Sequence, residues 1–265
     1  MPGSIMTFQH RRGGNRMKVF IWSAFACVAL ALVPGALASA QSTGNGYLFH
    51  APNATVSVRG GYSRALASSD VFDDVTRDLT LDRGDFSSLT IGGDLSVHVA
   101  GPVDAVFSAG FSRSKHKSEF RELVDNNDRP IEQTTTFERV PLTASLRYNL
   151  AAPGRSIGRL AWIPSRVVPY VGAGVGAMRY RFRQEGDFVN YLTNAVFPSV
   201  IDSDAEWTFV AQGLAGVDYN FSPRFGLSLD ARYVHARGEL GPAFTGYDRI
   251  DLSGVSATVG LSVRL

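Results

Sequence analysis

Residues 252–265, LSGVSATVGLSVRL, separate into two unlike rows when taken two at a time. Val255, Ala257, Val259, Leu261, Val263 and Leu265 form one row, and all are apolar. Ser256, Thr258, Gly260, Ser262 and Arg264 form the other, and all are small or polar. Period two is the mark of a strand, here with one face in an apolar medium. An open soluble sheet seldom leaves its last strand so apolar to the final residue. A closed barrel does, because the last strand pairs with the first and no edge remains.

The same alternation recurs upstream, over 54–65, 89–99, 105–114, 139–150, 167–182, 208–219 and 225–235. In 89–99, for instance, Leu89, Ile91, Leu95, Val97 and Val99 oppose Thr90, Asp94, Ser96 and His98. With the closing strand this makes about eight strands, each near the 9–11 residues that cross a bilayer at a tilt. The connections alternate as well. Residues 101–104 and 220–224 read as tight turns, whereas 68–87, 115–136, 183–205 and 236–251 are long and polar. Residues 151–166 are a long connection where a short one is expected. The pattern predicts an all-β fold, an eight-stranded antiparallel up-and-down transmembrane β-barrel spanning 54–265.

Alternation alone also fits a soluble barrel with an apolar interior. Two features decide between them. The apolar rows hold mostly Ala, Val and Leu in mid-strand and aromatics near the ends: Tyr148, Tyr219 and Phe225 on the turn side, Tyr62, Phe111, Phe209 and Tyr233 on the loop side. These are two interfacial girdles. Trp162, between Leu160 and Ile163, is expected at the inner interface as a further anchor. The polar rows carry Arg59, Asp94, Arg147, Asp218, Asp230, Arg232 and Arg264 among Ser, Thr and Gly. A buried charge needs a partner, so these are expected to pair as a network inside a narrow lumen.

Ahead of the barrel, Arg11, Arg12, Arg16 and Lys18 precede an apolar run over 19–33, then Pro34, Gly35 and an Ala38-Ser39-Ala40 cleavage pattern. This is expected to be a secretory signal peptide over 1–40, with Met17 an alternative start and 41–53 a short polar lead. Beyond residue 40 the chain holds 22 basic and 24 acidic residues, and its one cysteine, Cys27, lies within the leader. No disulfide is needed and no basic patch argues for nucleic acid.

The pieces Val140-Pro141-Leu142, Leu146-Arg147-Tyr148, Pro169 to Gly176 (PYVGAGVG) and Val259-Gly260-Leu261 resemble the bacterial outer-membrane β-barrel family of small OmpA-like and OmpW-like barrels. The resemblance covers 54–265. It implies a Gram-negative outer membrane, contact with outer-membrane lipid and lipopolysaccharide, and assembly by the barrel-assembly machinery. Members usually end in an aromatic residue, whereas this chain ends in Leu265. No wall-binding domain follows the barrel, so anchoring to peptidoglycan is not expected.

Three constellations have a plainer reading. Gly172, Gly174 and Gly176 resemble half a phosphate loop, but strand continues after them where a helix N-terminus would be required. They are expected to make room for Tyr170 and Tyr180 or to let the sheet bend. Asp94, Ser96 and His98 form a triad by residue type, yet residues two apart on a strand point in parallel. His235 has no serine near it in sequence, and no catalytic residue is expected. The acidic first loop (Asp70, Asp73, Asp74, Asp78, Asp82, Asp85) lacks calcium-loop spacing and is expected to be solvated or to bridge lipopolysaccharide. No metal and no cofactor is implied. The expected role is structural or surface interaction through long loops of unidentified partner, with a narrow OmpW-like channel as the alternative and a lipid-modifying enzyme third.

Overall fold

The computed structural model describes residues 47–125, 127–158, 161–190, 195–203, 207–241 and 244–265. The leader expected over 1–40 lies outside the described residues. In chain order the elements are β1 (Ala54–Ala65), α1 (Asp70–Asp78), a 3-10 turn (Arg83–Phe86), β2 (Ser88–Ala100), β3 (Val103–Val124) and β4 (Pro130–Asn149). There follow β5 (Gly154–Ile157), β6 (Ala161–Pro164), β7 (Val167–Asn190), β8 (Ala195–Asp202), β9 (Trp207–Asn220), β10 (Phe225–Gly238), β11 (Ile250–Asp251) and β12 (Gly254–Arg264). Among the described residues no helix is long and apolar enough to cross a membrane.

Eight strands close the barrel in the order β1, β2, β3, β4, β7, β9, β10, β12, every neighbouring pair antiparallel. The ring is sealed by β12 against β1, in register from Thr55↔Arg264 to Ala65↔Gly254. The apolar rows face outward. Leu89 is 78% exposed, Phe209 66% and Leu261 62%, and similar residues continue around the wall. An apolar surface of that extent belongs in lipid. Tyr62, Phe111, Tyr148, Phe209, Tyr219, Phe225 and Tyr233 all lie on this outer face.

Strand length differs sharply around the ring. β1, β2, β9, β10 and β12 have 11–14 residues, while β3 has 22, β4 20 and β7 24. Residues 115–136, expected as a loop, therefore mostly continue β3 and β4, in unbroken register to Glu119↔Glu132. Residues 183–205 likewise contain a β7–β8 hairpin, paired from Arg183↔Asp202 to Asn190↔Ala195. The reason is chemical. These segments keep period two in polar residues, with Ser114 and Ser118 buried inward and Lys115 and Lys117 outward.

The first loop is also structured. Helix α1 buries Val71, Phe72 and Val75. Its acids are used locally: Asp74 and Asp78 pair with Arg77 at 2.8 and 3.0 Å, and Asp73 pairs with Arg83. Asp82 and Asp85 form a capping box at the 3-10 turn. Self-paired carboxylates of this kind make a folded cap rather than an open acidic surface.

The glycines of β7 serve the sheet. A Cβ on Gly174 or Gly176 would collide with β4, and one on Gly172 would stand 2.6 Å from the Leu146 carbonyl oxygen. Room for the two tyrosines comes from other strands: a Cβ on Gly216 would meet the Tyr170 hydroxyl, and one on Gly238 the Tyr180 ring.

The outward face sets a depth-dependent test. Val259 is centred on β12 and Val255 lies near its loop-side end. Val259→Arg should cost about 2–4 kcal/mol of folding stability in lipid vesicles and Val255→Arg about 0–1 kcal/mol, read from denaturant titrations.

Candidate functional site

The inward residues stack in four layers from the turn side to the loop side. The first is a cover formed by the β5–β6 hairpin. Trp162 sits there, and it is 6% exposed. Its backbone bridges Leu48, with Leu48 N donating to Trp162 O at 2.8 Å and Trp162 N to Leu48 O at 2.7 Å. The Arg264 guanidinium lies 5.9 Å from its ring. Trp162 is thus not the lipid-facing anchor that its sequence neighbours suggest; pairing with the lead segment turns its ring under the barrel mouth.

Above the hairpin lies a polar cavity of ≈ 190 Å³, lined in part by Trp162, His98, Asp104, Arg147, Asp218 and Arg264. Arg147 bridges Asp104 at 3.1 Å and Asp218 at 3.2 Å, and its guanidinium stacks 4.5 Å from the Tyr170 ring. Asp104 also takes the His98 ring nitrogen at 3.1 Å and the Asn149 amide at 2.8 Å. Arg264 donates to Asn220 and to the Pro223 carbonyl, and so ties the β9–β10 turn to the last strand.

The third layer spans the lumen with ion pairs. Arg232 meets Asp230 at 2.5 Å and Asp94 at 2.9 Å, and donates to Ser108 at 3.0 Å. Arg59 meets the same Asp94 at 3.1 Å. The Tyr170 hydroxyl donates to Asp230 at 2.9 Å. These contacts join β1, β2, β3, β7 and β10 across the interior, and Arg232 and Asp230 are nearly fully buried. Alternating charge at this spacing satisfies each ion that has left water. Beyond it lies a pocket of ≈ 50 Å³ whose lining includes Ser63, Ser112, Thr143 and Ser256, and Gln212 on β9 reaches past β7 to Thr143 and Ser145 on β4.

The fourth layer is apolar and fills the loop-side mouth. Phe72 from α1 is fully buried among Phe86, Phe137 and Phe182, with ring centroids 4.6, 5.5 and 5.6 Å away. Tyr180, Met178, Ile201, Ile250, Leu252 and Phe244 complete the cluster. Arg139 lies just below it, donating to Leu252 O at 3.2 Å and Ser63 Oγ at 3.0 Å. Above, the Asp251 carboxylate pins the first loop to the last, accepting from Ser68 Oγ at 2.6 Å and from the Ser253 amide at 3.0 Å.

The seven lumen charges divide between two layers: Arg59, Asp94, Asp230 and Arg232 in one, Arg147, Asp218 and Arg264 in the other. Asp104 and Arg139 join them and were missed by the sequence reading. Arg139 shares its parity with Thr143 and Arg147, which is a usable signal; Asp104 reads locally as part of a turn. The Asp94, Ser96, His98 triad does not assemble, since Asp94 is taken by arginines and His98 by Asp104. Ser253 Oγ lies 3.3 Å from His235 Nδ1, but the serine is only 2% exposed beneath the last loop. Among the described residues no group of three metal-ligating side chains occurs.

Residues 25–264 match the family described as outer membrane protein beta-barrel domain. The chain belongs to that family. It is an outer-membrane β-barrel of the small type. Similar solved structures include Neisserial surface protein A, 15% identical over 80% of this chain and 96% of that one, with a TM-score of 0.44. The outer membrane protein OprG from Pseudomonas aeruginosa is 16% identical over 82% and 99%, also at 0.44. The attachment invasion locus protein Ail of Yersinia pestis is 14% identical over 80% and 99%, at 0.39. Likeness at this level carries nothing about role. No curated protein sequence matches the chain.

Two outcomes follow for the interior of this barrel. Arg232→Met leaves Asp230 without a cation, held only by the Tyr170 hydroxyl, and leaves Asp94 with Arg59 as its one cation, so unfolding stability should fall by about 3–5 kcal/mol, while replacing the solvent-exposed ion pair Arg249–Glu239 should cost under about 1 kcal/mol. The second concerns acid. Burial alone would raise the Asp251 carboxyl, but hydrogen bonds from Ser68 and Ser253 outweigh it and hold the group below the ordinary aspartate range. A lowered folded value means that this carboxylate stabilises the loop cap above the unfolded pKa of about 3.9 and loses that contribution as pH falls through the folded value. Protease cleavage within 68–87 should rise below about pH 4 in the native chain, and the Asp251→Asn variant should show raised cleavage already at neutral pH.

Proposed function

We propose that this outer-membrane protein is a closed barrel with no solute pathway and no chemistry, acting through its shape and its exterior surface. The observation that supports this reading is that two sets of side chains span the lumen at different heights: the Arg59–Asp94–Arg232–Asp230 ion pairs and the phenylalanine cluster at the loop mouth. Long loop-side strands set toward the cell exterior supply the interacting surface, with outer-membrane lipid, lipopolysaccharide and the barrel-assembly machinery as the partners. A narrow channel is the second reading. It is favoured by Arg232 lining both cavities, so that movement of one side chain would join them. A lipid-modifying activity is the third reading; Ser253, the serine beside His235, is buried, and lipid A mass spectra are expected to be unchanged by deletion of the gene.

Single-channel recording of the refolded chain in a planar bilayer tests the closed barrel. The wild type should be silent, and removal of 69–87 alone should leave it silent because the charged layer remains. Combining that deletion with Arg232→Ala and Asp94→Ala should yield current steps. Stable, resolved steps from the wild type would refute the closed barrel and establish the channel.

A further inference from the structure

The two cavities of the lumen differ in charge. The turn-side cavity is lined by Asp94, Asp104, Asp218 and Asp230 beside its arginines. The loop-side cavity of ≈ 50 Å³ is lined by Arg59, Arg139 and Arg232 and by no carboxylate. Strand register explains the hollow. Gly61, Thr90, Ser112 and Arg139 share one cross-strand row over β1, β2, β3 and β4, and Arg59, Gly92 and Gly110 share the row beneath. The two rows lie about 7 Å apart along the strands. Glycine at 61, 92 and 110 leaves open space where inward side chains would otherwise meet. The guanidiniums are seated against glycines as well: a Cβ on Gly92 would stand 3.0 Å from Arg59 Nη2, and one on Gly254 2.8 Å from Arg139 Nη1.

Several donors facing this space are unused. Arg232 is taken up by Asp94, Asp230 and Ser108. Arg59 donates its Nε–H to Asp94, and its terminal nitrogens have no acceptor among the described residues. Arg139 is 4% exposed and forms no ion pair there; it reaches Leu252 O and Ser63 Oγ, and its remaining N–H groups have no acceptor. The hydroxyls of Ser112 and Ser256, also in the lining, make no hydrogen bond among the described residues. Nor do the inward charges balance. Arg59, Arg139, Arg147, Arg232 and Arg264 stand against Asp94, Asp104, Asp218 and Asp230, which leaves one positive charge over. Asp251 lies above Arg139, but its carboxylate is held by Ser68 and Ser253 and makes no ion pair with the guanidinium. A buried cation without a counter-charge is strongly destabilising, and water would fill the cavity without offsetting it.

We propose that the loop-side cavity binds a small monovalent inorganic anion of chloride size, held by Arg139 and Arg59 with the Ser112 and Ser256 hydroxyls as further donors. Size and charge select this ligand. The cavity has room for no more than a few water-sized bodies, at about 10–15 Å³ each, and so excludes a phosphorylated sugar or a nucleotide. One surplus positive charge calls for one negative charge. Guanidinium and hydroxyl donors with no carboxylate among them suit an anion and repel a cation. The ion completes the neutralisation of the lumen, a structural role that holds whether or not the barrel conducts.

The test is urea unfolding of the refolded chain in neutral lipid vesicles, with chloride exchanged for gluconate at constant ionic strength. Gluconate is too large for the cavity, and the exchange leaves screening unchanged. Chloride should stabilise the wild type along a saturating curve; at about ten times its Kd the unfolding equilibrium constant should fall about tenfold. Arg139→Met should abolish this response. Ser112→Ala combined with Ser256→Ala should weaken the apparent chloride affinity on the order of tenfold. Arg249→Gln, at an exposed exterior site, should leave the response intact. Equal stability of the wild type in the two salts overturns the proposal. So does a full chloride response in Arg139→Met or, should that variant not fold, in the double serine variant. Crystals grown in bromide give the direct check: an anomalous peak inside the cavity is expected, and peaks at exterior positions alone mean an adventitious ion only and also overturn it. Conductance bears on the closed lumen alone. A conducting barrel with the chloride response keeps this site, and a silent barrel without the response loses it.

Discussion

Within hydrocarbon no water replaces a missing backbone partner, so every amide and carbonyl of a spanning segment has to be satisfied by another strand. The β12–β1 ladder meets that demand. Eleven paired positions join the two ends of the barrel, and without them β1 and β12 would each present an open edge to lipid. Everything else in the molecule is arranged around a closed wall: outward residues are set by the solvent outside, inward residues by the small space that closure leaves.

That space is too polar to pack as an ordinary core. The middle of the barrel answers with arginine and aspartate, and Arg59, Asp94, Arg147, Asp218, Asp230 and Arg232 each meet at least one opposite charge. The loop mouth, wider and flanked by solvent above, is filled in the manner of a soluble protein, by phenylalanines from the wall and from α1. The protein thus has an apolar exterior and a charged interior over its lipid-embedded height, and the usual order, apolar inside and polar outside, above it. The change occurs near Arg139, whose guanidinium lies 5.2 Å from the Phe137 ring and whose donors reach a serine and a carbonyl.

The unequal strand lengths give the exterior a direction. Five strands end near the girdle, and β3, β4 and β7 run on with β8 beside them. The extended sheet carries both cations and acids on its outer side, and Glu138, Asp202 and Glu185 pair there with Arg113, Arg181 and Arg183.

Period two is a local property, and it was sufficient for the eight strands, their outward rows, the outward placement of the aromatics and the presence of inward charge. β1 is read at its observed limits, and the other strands to within a few residues at their turn-side ends, because a lipid boundary changes residue type abruptly there. The loop-side ends of β3, β4 and β7 were not legible in the same way: outside the membrane polar residues occupy both faces, and alternation loses its contrast. The partners of the lumen charges depend on the stagger between strands distant in sequence, which is how Asp94 comes to meet Arg232 and His98 to meet Asp104. Trp162 shows the limit most clearly. Its neighbours in sequence suggest an interface, but a backbone pairing with Leu48 decides where the ring lies. Sequence alone determined the wall, since lipid imposes its pattern residue by residue; the pairing of the lumen charges was decided only by tertiary structure, since it depends on which inward side chains meet across the barrel.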